Sequence, residues 1–269
     1  MKKVRIIPRL DIKGSNLVKG IHLEGLRVLG NPSTFAQHYY DNGADELLLM
    51  DVVASLYGIN GLSELISEIS KNIFIPITVG GGIRNILDIK NALRSGADKV
   101  SINTAAIKNT KFISEAVSEF GSSTISIAIE AIKKENGEYF AFTDNGRENS
   151  GFKAIEWAKE VENLGVGEII LTSVDNEGTG LGFDLKLLEL FKSIDIPLVY
   201  HGGIGNIESG LNACKNFNIQ GISIASGLHY KLITDKKINS SLKCPKSISS
   251  FSINDLKLIL NENNILTRK

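Results

Sequence analysis

Cysteine, proline and tryptophan are scarce in this sequence, neither sign of charge dominates, and no long apolar run occurs. Only two cysteines, Cys214 and Cys244, occur in 269 residues. They are too few for a disulfide framework, so we expect a reducing, cytoplasmic environment. Lysine plus arginine number 30, as do aspartate plus glutamate, and this balance argues against a protein that binds nucleic acid through bulk positive charge. No apolar run reaches the roughly 18 residues that cross a bilayer, so we expect no membrane span.

Eight short apolar runs alternate with amphipathic stretches along the chain. The runs are apolar on both faces, as buried parallel strands are, and lie at 4–10, 46–52, 73–79, 99–103, 124–130, 168–173, 196–200 and 221–225. The first helical pattern, 32–43, has Asn31 as its N-cap and Pro32 at its first position. The alternation predicts an α/β protein, a single (β/α)8 TIM barrel over residues 1–269. An open doubly wound sheet is the alternative, but its glycine fingerprint is absent.

The two halves of the chain resemble each other at an offset of about 120 residues. The paired segments are 10–14 with 129–133, 43–55 with 165–178, 80–86 with 201–207, and 101–105 with 223–227. This half-barrel internal repeat predicts two related sites that face each other across the barrel mouth. Residues 231–250 are polar, basic and rich in turn residues, which indicates an insertion before the last helix.

Glycine turns end the third and seventh strands, at 80–82 and 202–203. Glycine lets backbone N–H groups approach an anion closely, and barrels often bind phosphate in loops after late strands. Small polar residues end the strands that follow, among them Ser101, Asn103, Thr104, Ser223 and Ser226. The pattern predicts a substrate with a phosphate at each end. Tight turns without a ligand are the alternative.

Two carboxylates occupy equivalent strand ends, Asp11 after the first strand and Glu130 after the fifth. Because barrel chemistry takes place at these ends, an opposed pair suits general acid and base catalysis. Lys19 lies in a glycine-flanked loop that can close over a phosphate, although a solvated lysine is the simpler interpretation. The histidines have no ligand spacing, so we expect no metal and no cofactor.

Charged residues of both signs begin four strands, at the opposite end of the barrel. They are Arg5, Glu46, Lys99 and Glu168. Alternating charges in this position can form a closed ring of ion pairs over the lower opening. On physical grounds alone, a salt-bridge network that only stabilises the fold explains these four charges equally well.

Seven segments over roughly residues 4–229 resemble one family. They are RIIPRLDIKG, LVKG, GADELLLMDVVAS, FIPITVGGGIR, GADKVSINTAAI, GEIILTSVDNEGTGLGFD and HGGIG. Together they resemble the cyclase subunit of imidazole glycerol phosphate synthase, the barrel partner of a glutaminase in histidine biosynthesis. The resemblance implies an ammonia-dependent lyase. It converts a bisphosphorylated ribulosyl formimino aminoimidazole carboxamide ribotide to imidazole glycerol phosphate and aminoimidazole carboxamide ribotide.

The resemblance also implies roles for particular residues. Asp11 and position 130 would be the acid and base, and Asp98 would lie at the glutaminase interface. One phosphate would be held by Gly82, Asn103 and Thr104. The other would be held by Gly178, Gly203 and Ser226, with Lys19 on the closing loop. The ammonia that enters at the barrel bottom would pass a gate of Arg5, Glu46, Lys99 and Glu168.

The chain departs from the family at several positions. Glu130 and Glu177 stand where the family has Asp, Arg9 stands where it has Cys, and residues 231–250 are extra. The side chain of Glu130 is longer than that of aspartate, so its proton-transfer atom moves by roughly one bond length. A displacement near 1 Å of a reacting group can cost about a hundredfold in rate. The departures suggest an altered substrate. Relatives of this cyclase are associated with amidination of bacterial surface sugars, so the resemblance also implies an alternative function, that of a paralogue using the same ammonia chemistry on such a sugar.

Two further functions have less support from the residues. One is that of a non-catalytic barrel that binds phosphates and a partner. The second is that of the sister isomerase of histidine biosynthesis, which uses no ammonia. The intact glycine turns and the four gate residues argue against the first, and the gate residues alone discriminate against the second, which is also a two-phosphate barrel.

Overall fold

The structure, a computed structural model, describes residues 3–54, 62–235 and 244–268. The strands are β1 (Arg5–Lys13), β2 (Asn16–Ile21), β3 (Glu24–Gly30), β4 (Leu47–Asp51), β5 (Ile77–Gly80), β6 (Lys99–Ile102), β7 (Ile125–Lys133), β8 (Tyr139–Thr143), β9 (Glu148–Lys153), β10 (Glu168–Ser173), β11 (Leu198–His201) and β12 (Gly221–Ile224). The helices are α1 (Pro32–Asp41), α2 (Ser63–Ser70), α3 (Ile86–Arg94), α4 (Thr104–Lys108), α5 (Thr110–Phe120), α6 (Ala154–Asn163), α7 (Leu185–Leu190), α8 (Ile207–Asn216), α9 (Ser226–Asp235) and α10 (Ile253–Glu262).

Eight parallel strands close into a barrel, which confirms the predicted (β/α)8 fold. The ring runs β1, β4, β5, β6, β7, β10, β11 and β12, and β12 pairs with β1 again. Helices connect successive barrel strands, as in other barrels of this class. In the described part of the chain, no helix is long and apolar enough to cross a membrane.

Side chains of β1 alternate between the two faces of the barrel wall. Ile6, Leu10 and Ile12 belong to the large core between the strands and the helices. Ile7 belongs to a smaller cluster inside the barrel, with residues of β4, β10 and β11. Because side chains in a strand alternate with a period of two, Arg9 and Asp11 share the interior face with Ile7.

Matching helix N-termini show the half-barrel repeat in local structure. Asn85 caps α3 by accepting a hydrogen bond from the Asp88 amide at 3.0 Å, and Asn206 caps α8 by accepting one from the Ser209 amide at 2.8 Å. The two caps have nearly the same backbone angles, with φ −153° and −154°. Each follows the glycine turn of its own half.

Two β-hairpins, absent from the sequence prediction, extend the barrel at its carboxyl end. β2 and β3 follow β1, and β8 and β9 follow β7, each pairing antiparallel with the strand before it. They occupy equivalent places in the two halves. Lys19, predicted in a loop, lies instead in β2, so the hairpin fixes its backbone by strand pairing.

The segment predicted as an insertion, 231–250, has three parts. Residues 231–235 form the last turn of α9, and 236–243 lie outside the described residues. At the other end, the Ser247 hydroxyl donates to the Thr179 carbonyl at 2.5 Å, so this part contacts the loop after β10.

Candidate active site

Asp11 and Glu130 are both buried at the carboxyl end of the barrel. Asp11 is 2% exposed and Glu130 is 5% exposed. The Arg9 Nε atom donates to Asp11 Oδ1 at 2.7 Å, and the Gly146 amide donates to Glu130 Oε2 at 2.7 Å. One carboxylate therefore faces a cation, whereas the other faces a backbone amide.

These neighbours shift the pKa values of the two carboxyl groups in opposite directions. Burial alone would raise the pKa of Asp11, but the charges of Arg9 and Lys19 outweigh it and hold that pKa below its usual value. At Glu130, burial dominates and raises the pKa from 4.5 to about 7. Arg9 and the Gly146 amide oppose this rise, and Asp11 adds to it. At neutral pH, Asp11 is ionised and Glu130 exchanges a proton readily.

Lys19 and Glu177 form a buried ion pair that closes the β2–β3 hairpin over the mouth. Lys19 Nζ donates to the Glu177 carboxylate and to the Gly20 carbonyl, the latter at 2.7 Å. Glu177 also accepts from the Leu23 amide at 2.9 Å. Burial alone would raise the pKa of Glu177, but the charge of Lys19 outweighs it and holds that pKa below its usual value. The hairpin is thus tied to the loop after β10.

A cavity of about 330 Å³ lies on one side of the mouth. The residues predicted for one phosphate, Gly82, Asn103 and Thr104, line it together with Glu130. Asp144 also lines this cavity, and its amide donates to the Thr104 hydroxyl oxygen at 3.1 Å. No sequence signal pointed to Asp144, because it lies between β8 and β9 of a hairpin that was not predicted.

A smaller cavity of about 20 Å³ lies on the other side. Gly178, Gly203 and Ser226, predicted for the other phosphate, line it with Glu177. Gly203 has φ +79°, and a Cβ atom there would overlap the carbonyl oxygen of Gly182. Any side chain at Gly203 would displace this loop, so only glycine fits there.

The sequence places His201 near a strand end, where it could line the mouth but where a simple polar contact is the favoured interpretation, and the structure brings it into the site. It is buried at the end of β11, and its Nδ1 atom lies 2.9 Å from the Ser223 carbonyl oxygen. Burial and the charge of Arg9 lower the pKa of His201 to about 4, so the ring is neutral. In the sequence, its position directly before the glycine turn at 202–203 is the signal that places it near the site.

The predicted ring of charges forms at the opposite end of the barrel. Arg5 bonds to Glu46 at 2.7 Å and also to Glu168, while Lys99 lies 3.0 Å from Glu46 and 3.4 Å from Glu168. Each cation bridges both carboxylates, so the ring is closed. Asp98 is exposed next to it and accepts from the Ile77 amide at 2.8 Å.

Comparison with known proteins shows which family the chain belongs to. Residues 5–234 match the family described as histidine biosynthesis protein. The chain belongs to the histidine biosynthesis protein family. It is 54% identical to imidazole glycerol phosphate synthase subunit HisF of Legionella pneumophila, over 77% of this chain and 99% of that protein. It is 44% identical to the subunit of that name from Prochlorococcus marinus, over 90% of this chain and 96% of that protein. For the subunit from Staphylococcus saprophyticus the identity is 43%, over 90% of this chain and 97% of that protein.

These relatives confirm the resemblance to the cyclase subunit of imidazole glycerol phosphate synthase. The chain is an enzyme of that type, and histidine biosynthesis is its pathway. The relatives are named as subunits. The family match ends at residue 234, so the segment from 235 onward lies beyond it.

Proposed function

We propose that Asp11 and Glu130 carry the acid–base chemistry of the cyclase reaction, with different tasks. Asp11, ionised beside Arg9, accepts a proton from the attacking ammonia. Glu130, whose pKa is about 7, donates a proton to the leaving group. The observation that carries this proposal is the opposed environment of two buried carboxyl groups at one barrel mouth.

The two cavities flank this pair, and we assign the larger one to one phosphate of the substrate. Gly82, Asn103 and Thr104 bind this phosphate. Asp144 lies at the end of this cavity nearest the β8–β9 turn. Its acidic side chain disfavours an anion there, so the phosphate is expected closer to the glycine turn at 80–82.

We assign the smaller cavity to the second phosphate, which Gly178, Gly203 and Ser226 bind. The paired Lys19 and Glu177 hold the hairpin closed over this cavity. Closure excludes water and strengthens electrostatic interactions within the site. The two phosphates would thereby fix the substrate across the mouth, with its reacting centre between Asp11 and Glu130.

The substrate and the products are those implied by the resemblance, with ammonia as the nucleophile. Purified protein should consume the bisphosphorylated histidine intermediate when ammonium is added and release imidazole glycerol phosphate, as followed by absorbance and mass spectrometry. A folded protein that gives no ammonia-dependent product would contradict the proposal.

We also propose a glutaminase subunit as the partner, bound at the end of the barrel that carries the ring of charges. Ammonia released there would pass the ring formed by Arg5, Glu46, Lys99 and Glu168 and reach the mouth through the barrel.

The small number of cysteines suits a reducing compartment, and we propose the cytoplasm.

Charge reversal at this face should prevent assembly. Asp98→Lys should weaken binding of the glutaminase subunit at least tenfold, because it changes the sign of an exposed charge at the proposed interface. Glu135→Lys, an equal change at an exposed site between β7 and β8, at the opposite end, is the matched control. Analytical ultracentrifugation of mixed subunits measures both. Equal complex formation by the two variants would place the interface elsewhere.

A further inference from the structure

Two buried nitrogen atoms at the barrel mouth, Nη2 of Arg9 and Nε2 of His201, have no hydrogen-bond partner among the residues that the structure describes. Their residues are 2% and 3% exposed. A buried polar group without a partner is destabilising, so two in one site indicate a group that completes them. The acid–base roles of Asp11 and Glu130 use neither atom.

Strand register brings the two residues to the same part of the barrel. Ser223 of β12 pairs with Ile7 on one side and with His201 on the other. Arg9 lies two residues beyond Ile7, on the same interior face of β1. The charge of Arg9 also acts on the His201 ring, where it lowers the pKa.

The Arg9 guanidinium offers a hydrogen-bond donor. Its Nε atom is bonded to Asp11 at 2.7 Å, and its Nη1 atom has a long contact, 3.4 Å, to the Thr172 hydroxyl. Arginine stays protonated and has no acceptor. The N–H groups of Nη2 therefore require an oxygen or nitrogen lone pair from a ligand.

The His201 ring offers an acceptor. Nδ1 lies 2.9 Å from the Ser223 carbonyl oxygen, which can only accept, so the ring proton is on Nδ1 and Nε2 carries a lone pair. Nε2 also lies 3.9 Å from Glu177 Oε1, another acceptor. A ligand O–H or N–H directed at this point would satisfy Nε2.

The charges around these atoms favour a neutral ligand group. Arg9 is balanced by Asp11, and Lys19 is balanced by Glu177. Glu130 adds a third acidic group that acts on Arg9. His201 also lines the smaller cavity that we assign to a phosphate, so a further anion beside that phosphate would meet uncompensated negative charge at low dielectric, which is unfavourable.

We propose that Arg9 and His201 form a specificity subsite for a neutral group in which a carbonyl oxygen lies beside a hydroxyl or an amide N–H. This inference rests on the proposed function, because it concerns the part of the substrate between its two phosphates. The carbonyl accepts from Arg9 Nη2, and the hydroxyl or amide donates to His201 Nε2. Two parts of the substrate have this chemistry, the hydroxyketone of the ribulosyl unit and the carboxamide.

Arg9→Lys tests the subsite, because lysine keeps a cation for Asp11 but lacks Nη2. Two probes distinguish the two parts of the substrate that could bind here: ribulose 5-phosphate carries the hydroxyketone, and aminoimidazole carboxamide ribotide carries the carboxamide. Glycerol 3-phosphate has a phosphate but no carbonyl and serves as the reference probe. Isothermal titration calorimetry should show Arg9→Lys weakening one carbonyl probe about tenfold or more, with the reference unchanged. Which probe weakens identifies the group bound.

His201→Phe is the second variant, since it removes the acceptor without changing charge, and it should weaken the same probe as Arg9→Lys. Arg94→Lys, at an exposed position at the end of α3, is the matched control for replacing an arginine and should leave the binding of all three probes unchanged. Equal weakening of the three probes, or no change in either carbonyl probe, in variants that melt like wild type, would overturn the subsite. If wild type shows this discrimination but gives no ammonia-dependent product, the subsite stands and the proposed function fails.

Discussion

Asp11→Asn is expected to lower ammonia-dependent turnover at least a hundredfold. An asparagine keeps the shape and can still accept from Arg9, but it cannot take up a proton near neutral pH. General acid–base catalysis contributes about a hundredfold to ten-thousandfold. Steady-state kinetics with saturating ammonium measure the change. A variant that keeps more than about a tenth of the wild-type rate would show that proton transfer does not take place at Asp11.

The same substitution has a cost in stability, because Arg9 loses its buried counter-ion. Breaking a buried ion pair by removing one partner costs about 3–5 kcal/mol, although Glu130 and Glu177 partly compensate the charge of Arg9 here. The double variant Arg9→Gln/Asp11→Asn removes both charges and should recover much of the free energy of unfolding in urea. It should not recover turnover. This control separates loss of a catalytic group from loss of fold.

The barrel and the closed ring of charges follow from periodicity in the sequence. Each apolar run is long enough for a strand, and a charge at its start falls at one end of the barrel because parallel strands share their direction. Arg5, Glu46, Lys99 and Glu168 therefore had to lie together, and they do. Local sequence was sufficient because each residue's position depends only on its own strand.

The electrostatics of the mouth depend on contacts that no local pattern indicates. The amide that bonds Glu130 comes from Gly146, and Asp144, which raises the pKa of Glu130, lies in the same turn. This turn joins β8 and β9, strands with a mixed pattern that a period-two search does not find. The predicted loop position of Lys19 is wrong for the same reason. Tertiary pairing across the mouth, rather than local propensity, defines these groups.

Glu130 should make turnover depend on pH with an inflection near neutrality. At a fixed concentration of unprotonated ammonia, turnover should fall as pH rises above about 7, because Glu130 must be protonated to donate. Glu130→Gln should lower turnover at least a hundredfold and remove this inflection from the residual rate. Stopped assays between pH 5.5 and 9, with total ammonium adjusted at each pH, measure the profile. A rate that rises through pH 7 would assign Glu130 as the base.

The free energy of unfolding should change with pH for the same reason. The folded-state pKa of Glu130, about 7, lies above the ordinary value of 4.5, so the folded state binds a proton that the unfolded state has lost between those values. Stability therefore falls as pH rises across this window, by about 3 kcal/mol from the 1.36 kcal/mol that each pKa unit represents.

Glu130→Gln should remove this fall, so at pH 8 the inactive variant should be more stable than wild type by about 3 kcal/mol in urea. Glu135→Gln, at an exposed site, should leave the dependence of turnover on pH and the dependence of the free energy of unfolding on pH as they are in wild type. If Glu130→Gln and wild type lose stability in parallel between pH 5 and pH 8, the carboxyl is not the buried proton-exchanging group, and its role as the acid fails with it.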